Sequence, residues 1–251
     1  RYTPFYRTIT DMLKQGKVGR ILTVSADEVV GPVLSTAFLR DWRANADYSG
    51  DLLLEKCCHD LDLINSMLGV DPVRAAAFAR RDRFLPQEGL GPQCPDCAKK
   101  DTCSYSTVLW AKEIEWREDD GEYEYIDFDN DVCVYNDGNT NVDRQSNLIE
   151  YEGGILVDFN VTLGGPVTKR TISMVGTEGR IMGDFIESRI LYYPMFDKPP
   201  EEIQIQHERS GHGGGDSVIT RSFLESLESP DYVPEASFKD GLKSALLAFL
   251  C

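Results

Sequence analysis

The chain has no apolar run near the roughly 20 residues that a membrane-spanning helix needs, so no membrane partner is expected. It has no G-x-G-x-x-G stretch and no strand–glycine loop–helix unit, which leaves the usual dinucleotide fingerprint out of its own residues. Positive charge is scarce. Twenty-six Lys and Arg stand against 42 Asp and Glu, for a formal net charge of −16 and a pI near 4.6. Such a surface repels phosphate backbones and argues against a nucleic-acid partner. There is no initiator Met, no signal peptide, no internal repeat and no low-complexity tract. Both ends read as cut, as in a fragment of a longer protein, and the compartment reads as cytoplasmic. Histidine is rare, with only three in 251 residues. Cysteine is not rare: there are seven, an odd number in a chain too long to need disulfide staples.

What is present is an α+β pattern. A helix is predicted over 3–15, opened by Thr3 and Pro4 and stopped by Gly16. A strand follows over 19–30, a loop over 31–48 and another strand over 72–82. A short helix is expected within 105–117, and the acidic run 118–131 reads as a solvated loop. From 131 to 208 the period changes to two, with the runs DVCVYN, RQSNLIEYE, ILVDFNVTLG, TKRTISMVG, RIMGDF, RILYYP and EIQIQHE. Gly153-Gly154 and the turn in VGTEGRI read as hairpin signals. Helices over 215–228 and 237–250 close the chain. The expected fold is a large, mainly antiparallel open β-sheet with helices packed on one face, formed by a single domain, 1–251.

The stretch SGDLLLEKCCHDLDLINSMLG (49–69) reads as one buried helix with a polar stripe. At about 100° per residue, Glu55, His59, Asp62 and Ser66 fall within about 60° of one another. Buried carboxylates and imidazoles are costly unless paired or open to a cleft. The helix is therefore expected to lie under a pocket and present Glu55 and His59 to it; the alternative is a structural hydrogen-bonded cluster. Trp42, Arg43 and Tyr48 immediately precede this helix. They either line the same pocket or anchor a surface loop.

A polar, Pro- and Gly-rich insert at about 84–106 contains CPDCAKKDTC, a C-x2-C-x5-C spacing. Cys94, Cys97 and Cys103 are candidate ligands of a structural zinc, since two thiolates on one tight loop can share a tetrahedral ion. Three ligands are not four, so Cys57, Cys58, Cys133 or a His would have to complete the site. A disulfide between two of the three, or unligated thiols, are the other outcomes. HGGGD (212–216) is either a glycine-rich helix opening near an anion or a plain loop.

Four stretches resemble the C-terminal, substrate-binding domain of the Gfo/Idh/MocA oxidoreductases, the glucose–fructose oxidoreductase and inositol dehydrogenase family: RYTPFYRTITDMLKQGKVGRILTV, SGDLLLEKCCHDLDLINSMLG, KRTISMVGTEGRI and HGGGDSVITRSFLESL. The resemblance implies an open sheet whose outer face serves homo-oligomers. It also implies an N-terminal Rossmann domain, absent here, that holds NAD(P) and supplies a Lys from an E-K-P motif, which Lys56 is not. His59 would take a hydroxyl proton from a secondary alcohol of a sugar or cyclitol, and Glu55, standing where the family has Asp, would contact the substrate. Asp62, Trp42, Arg43, Tyr48 and His212 are then substrate-binding candidates. The fragment alone is expected to be inactive and not to bind NAD. An NAD-dependent glycoside hydrolase, or a module that only binds a ligand or partner, are the alternative functions.

Overall fold

The computed structural model describes residues 1–114, 130–136, 138–196, 198–206, 212–229 and 231–251, with backbone alone over 111–114. Most of the acidic run at 118–131 lies outside the described residues.

The helix α1 (Pro4–Lys14) opens on a Thr3 cap whose hydroxyl accepts the Tyr6 amide, with Pro at its first position. It buries Phe5, Tyr6, Ile9 and Met12. Strand β1 (Ile21–Val30) follows. The stretch expected to be a loop up to Tyr48 instead holds three short helical turns: α2 (Pro32–Thr36), a 3-10 turn over Asp41–Ala44 and α3 (Ala46–Ser49). Such turns are too short to leave a periodic signature, which is why the sequence hides them. The long helix α4 runs Asp51–Leu68 and stops at Gly69, whose φ of +65° suits a residue without Cβ. Beyond it come β2 (Pro72–Arg80) and α5 (Thr107–Ile114).

The strand expected over 131–136 is only an isolated bridge, Gln93 to Val132. The backbone there is committed to the cysteine insert: Cys133 N donates to Pro92 O, and Cys94 N to Asp131 O. The remaining strands are β3 (Arg144–Tyr151), β4 (Ile155–Leu163), β5 (Lys169–Gly176), β6 (Gly179–Asp184), β7 (Arg189–Pro194) and β8 (Glu201–Gln204). Gly153 and Gly154, both left-handed at +78° and +76°, turn β3 into β4. Helices α6 (Gly215–Glu228) and α7 (Phe238–Leu250) end the chain.

All eight strands form one open sheet, ordered β2-β3-β4-β1-β5-β6-β7-β8. Every pairing is antiparallel except β1 with β4. Alternation assigns the two faces. Val24, Ala26 and Val30 of β1, Val157, Phe159, Val161 and Leu163 of β4, and Ile172 and Met174 of β5 point into the core with α1 and α4. Ser25, Asp158, Asn160 and Ser173 point the other way, to an open face that also carries exposed Phe78, Leu148 and Leu156. No described helix is long and apolar enough to cross a membrane.

Candidate functional site

The helix α4 presents two chemically different edges. On the outer edge, Ser66 and His59 are exposed, and Glu55 and Asp62 are half-buried. The four share a face, as the spacing predicts. On the inner edge, two residues that the spacing left without a role carry charge: Lys56 and Asp60 are buried, at 8% and 6% exposure. Asn65, also buried, accepts the Tyr151 hydroxyl at 2.8 Å.

Lys56 Nζ lies 2.9 Å from Glu28 Oε1, and Glu28 Oε2 lies 3.0 Å from Arg170 Nε. Arg170 Nε also donates to Asp60 Oδ1 at 2.7 Å. Two cations and two carboxylates thus alternate between α4, β1 and β5, and their charges cancel. Burial alone would lower the Arg170 pKa, but Asp60, then Tyr6 and Glu28, raise it instead. The sequence held a readable sign of this cluster. Glu28 stands in the inward phase of β1, between Ala26 and Val30, where an unpaired carboxylate would be costly.

The spacing on α4 predicts that acids flank His59 and favour its charged form. The structure gives both acids other partners. Glu55 Oε1 accepts Arg43 Nε at 2.7 Å. Asp62 accepts two guanidinium hydrogen bonds from Arg1, from Nε to Oδ2 and from Nη2 to Oδ1, each at 2.7 Å. What acts on His59 is desolvation, then the cations Lys56 and Arg170, and these push its pKa down from 6.5 to about 4. Its Nδ1 sits 3.8 Å from Cys58 Sγ. A neutral imidazole at the surface of a rigid helix can accept a proton.

Around it, Arg43 joins Glu55 to Trp42, with its guanidinium carbon 5.2 Å from the Trp42 ring centre. Trp42 is 47% exposed and Tyr48 75% exposed. His212 Nδ1 lies 2.9 Å from Asp216 Oδ1 on α6, and a charge on His212 would disfavour one on His59. Asp41, Asp51 and His212 all adopt left-handed φ, at 54°, 70° and 54°. Such backbone is uncommon for these residues, and here it brackets the elements carrying Trp42, Glu55 and Asp216. Tyr48 makes no described contact with the others. A cavity of about 510 Å³ lies beside α1 and α4, lined by Arg1, Arg7, Asp11, Ser66 and Glu235 among others, but His59 and Glu55 do not border it.

The turn after β1 does not offer a nucleotide cradle. It carries one glycine, Gly31, and places Pro32, which has no N–H, at the start of a five-residue helix. The cysteines Cys94 and Cys97 are buried and Cys103 half-buried; together with Cys133 they line one small void. Among the described residues, no group of three or more His, Cys, Asp or Glu side chains is arranged to hold a metal ion, so the zinc site expected at Cys94, Cys97 and Cys103 is not preformed.

Residues 10–251 match the family profile described as "Oxidoreductase family, C-terminal alpha/beta domain". YteT of Bacillus subtilis (strain 168), an oxidoreductase by name, is 27% identical over 244 residues, covering 87% of this chain and 57% of YteT. A levoglucosan dehydrogenase in complex with NADH has a similar fold, with a TM-score of 0.66 at 14% identity over 98% of this chain and 61% of that one. So has KijD10, a 3-ketoreductase from Actinomadura kijaniata in complex with NADP, with a TM-score of 0.59 at 17% identity over 98% of this chain and 57% of that one. The chain thus spans about three-fifths of the length of the relatives it matches.

Proposed function

Because the chain belongs to the Gfo/Idh/MocA oxidoreductase family, as its C-terminal alpha/beta domain, we propose that it is the substrate-binding and proton-accepting half of an NAD(P)-dependent enzyme that oxidises a secondary alcohol of a sugar or cyclitol. The observation that carries this reading is His59, held neutral and exposed on the polar edge of α4 beside the Glu55–Arg43–Trp42 group.

The roles follow from the residue types. Oxidation of an alcohol requires a base at the hydroxyl; His59 stands in the neutral, proton-accepting form, and efficient transfer requires the closed site to bring its pKa back toward neutrality. Glu55, oriented by Arg43, accepts hydrogen bonds from neighbouring hydroxyls. Trp42 offers an apolar plate for the C–H face of a ring, as amphipathic aromatics do. Nicotinamide and the remaining wall of the pocket come from outside the described residues. The exposure of His59 suits such an assembly, because its face must stay open for a second body to close on.

The test uses the full-length protein with a panel of free sugars and cyclitols and both nicotinamide cofactors. Net reduction of NAD(P) is expected with at least one polyol. His59→Ala should lower kcat by at least about 100-fold, within the usual contribution of a general base, while cofactor affinity stays unchanged. An unaltered kcat removes His59 from the mechanism. Release of an aglycone with the cofactor recycled would replace oxidation by hydrolysis.

We further propose that the open face of the sheet pairs with a second copy of the chain. Phe78, Leu148 and Leu156 are exposed there at 83%, 64% and 56% among polar neighbours. Exposed apolar groups gathered on one face are more typical of an interaction surface than of a solvated one.

A further inference from the structure

The seven cysteines play no part in the proposed reaction, yet four of them meet. Cys94, Cys97 and Cys103 come from the 84–106 insert and Cys133 from a segment some 30 residues further on. All four line a single void of about 20 Å³, together with Leu90, Tyr105 and Tyr135 among others. That is room for about one water-sized particle. The void is almost wholly apolar apart from the sulfurs, so it offers water few partners. None of the four is in a disulfide.

The backbone brings the thiols there. Cys94 and Cys133 flank the isolated bridge between Gln93 and Val132, tied by Cys94 N to Asp131 O at 2.8 Å and Cys133 N to Pro92 O at 2.9 Å. CPDC forms a tight turn, with Cys97 N on Cys94 O at 3.1 Å, and Lys99 N donates to Cys97 Sγ at 3.4 Å. Gly91 leaves the space that the turn fills: a Cβ there would meet Asp96 and Cys97 backbone at 3.1 Å.

A second observation concerns charge. Arg40 is only 3% exposed. Its guanidinium donates to Asn130 O and Tyr105 O, both at 2.6 Å, and reaches Cys94 Sγ at 4.0 Å. Its Nε has no partner, and among the described residues no carboxylate is in ion-pair contact with it. Asp131 acts on it only from further off and takes the Thr107 hydroxyl instead. A buried cation without a contacting counter-charge is strongly unfavourable. Four neutral thiols do not supply one. A divalent ion bound by four thiolates carries a net charge of −2, directly beside Arg40.

We propose that Cys94, Cys97, Cys103 and Cys133 form a tetrathiolate site for one structural zinc ion, with Arg40 as its counter-charge. Four Zn–S bonds form, four S–H bonds break, four protons leave to solvent, and no electron is transferred. The four cysteines line the void, but no three of them are arranged to hold an ion as they stand, so binding requires the thiols to turn onto the void until each is about 2.3 Å from the ion. The ion would then fasten the insert to residues 130–135 and, through Arg40, steady the turn that carries Trp42 and Arg43.

The test is metal analysis of the protein purified under reducing conditions without chelator. About one equivalent of zinc is expected, falling below about 0.2 in Cys133→Ser, because three thiolates hold zinc far less tightly than four. Cys251→Ser should keep the full equivalent. Cobalt substitution of the unaltered protein gives a readout that does not depend on any variant folding: intense sulfur-to-cobalt absorption and a tetrahedral d–d spectrum are expected. Three results would overturn the proposal: unaltered protein that takes up less than about 0.2 equivalents even with zinc added, an intact mass two hydrogens light from a disulfide among the four, or full zinc retention in Cys133→Ser.

Discussion

Arg170→Met should break the buried charge cluster in a way that can be calculated. In the intact protein two cations, Lys56 and Arg170, balance two carboxylates, Glu28 and Asp60. Removing Arg170 leaves Glu28 with Lys56 at 2.9 Å but strands Asp60, whose side chain is 7% exposed. Removing one partner of a buried pair costs about 3–5 kcal/mol. Arg170 retains 17% side-chain exposure, which admits some water and places the cost near the lower bound, about 3 kcal/mol. For a chain of this length that corresponds to a melting temperature lower by about 6–12 °C. Adding Asp60→Asn removes the stranded charge and leaves a neutral Glu28–Lys56 pair, so the double variant should recover at least about 1.5 kcal/mol, a coupling typical of residues in one network. The assay is urea and thermal unfolding of the four proteins of the cycle, followed by circular dichroism. A loss below about 1 kcal/mol for Arg170→Met, or a double variant no more stable than additivity gives, would show that the cluster is not acting as a balanced unit.

Three more outcomes are expected. The His59 ring should titrate by NMR well below 6.5, toward about 4; because the unfolded chain binds that proton first, His59 costs stability as pH falls from 6.5 toward 4 and has no such effect at neutral pH, and a midpoint at or above 6.5 would refute the assignment. Arg43→Ala should raise KM for a polyol in the full-length enzyme by about 5- to 10-fold with a smaller effect on kcat, as expected for loss of a positioning contact; an unchanged KM would separate the Glu55–Arg43 pair from substrate binding. Phe78→Asp on the open sheet face should shift light-scattering mass from oligomer to monomer with little change in melting temperature, and a monomeric unaltered protein would remove the interface.

The main elements could be read from the sequence because each has a regular period and a punctuating residue. Gly69 ends α4, the Gly153–Gly154 pair turns β3 into β4, and alternation from Arg144 to Pro194 marks five strands. The outer stripe of α4 was equally legible from its angular spacing. What was not legible depends on partners far along the chain. Lys56 and Asp60 have no readable role until Glu28 and Arg170 are placed opposite them. Asp62 reads as a companion of His59, but Arg1 takes it. The run 131–136 has strand composition, yet its amides are spent on Pro92 and its neighbours. Cys133 could lie anywhere in the sheet until the bridge between Gln93 and Val132 sets it beside the 84–106 insert.

The one parallel pairing in the sheet sets a timetable for synthesis. Ser25 on β1 meets Asp158 on β4 across 133 residues of chain, and β5, the other neighbour of β1, follows later still. Of the strands in this sheet, β1 therefore waits longest for its neighbours after its own synthesis, and until they arrive its backbone is an unclaimed edge open to foreign strands. A chaperone that shelters residues 21–30 during translation should raise the yield of native protein more than one acting on the later β5–β7 hairpins, which close locally as soon as they emerge.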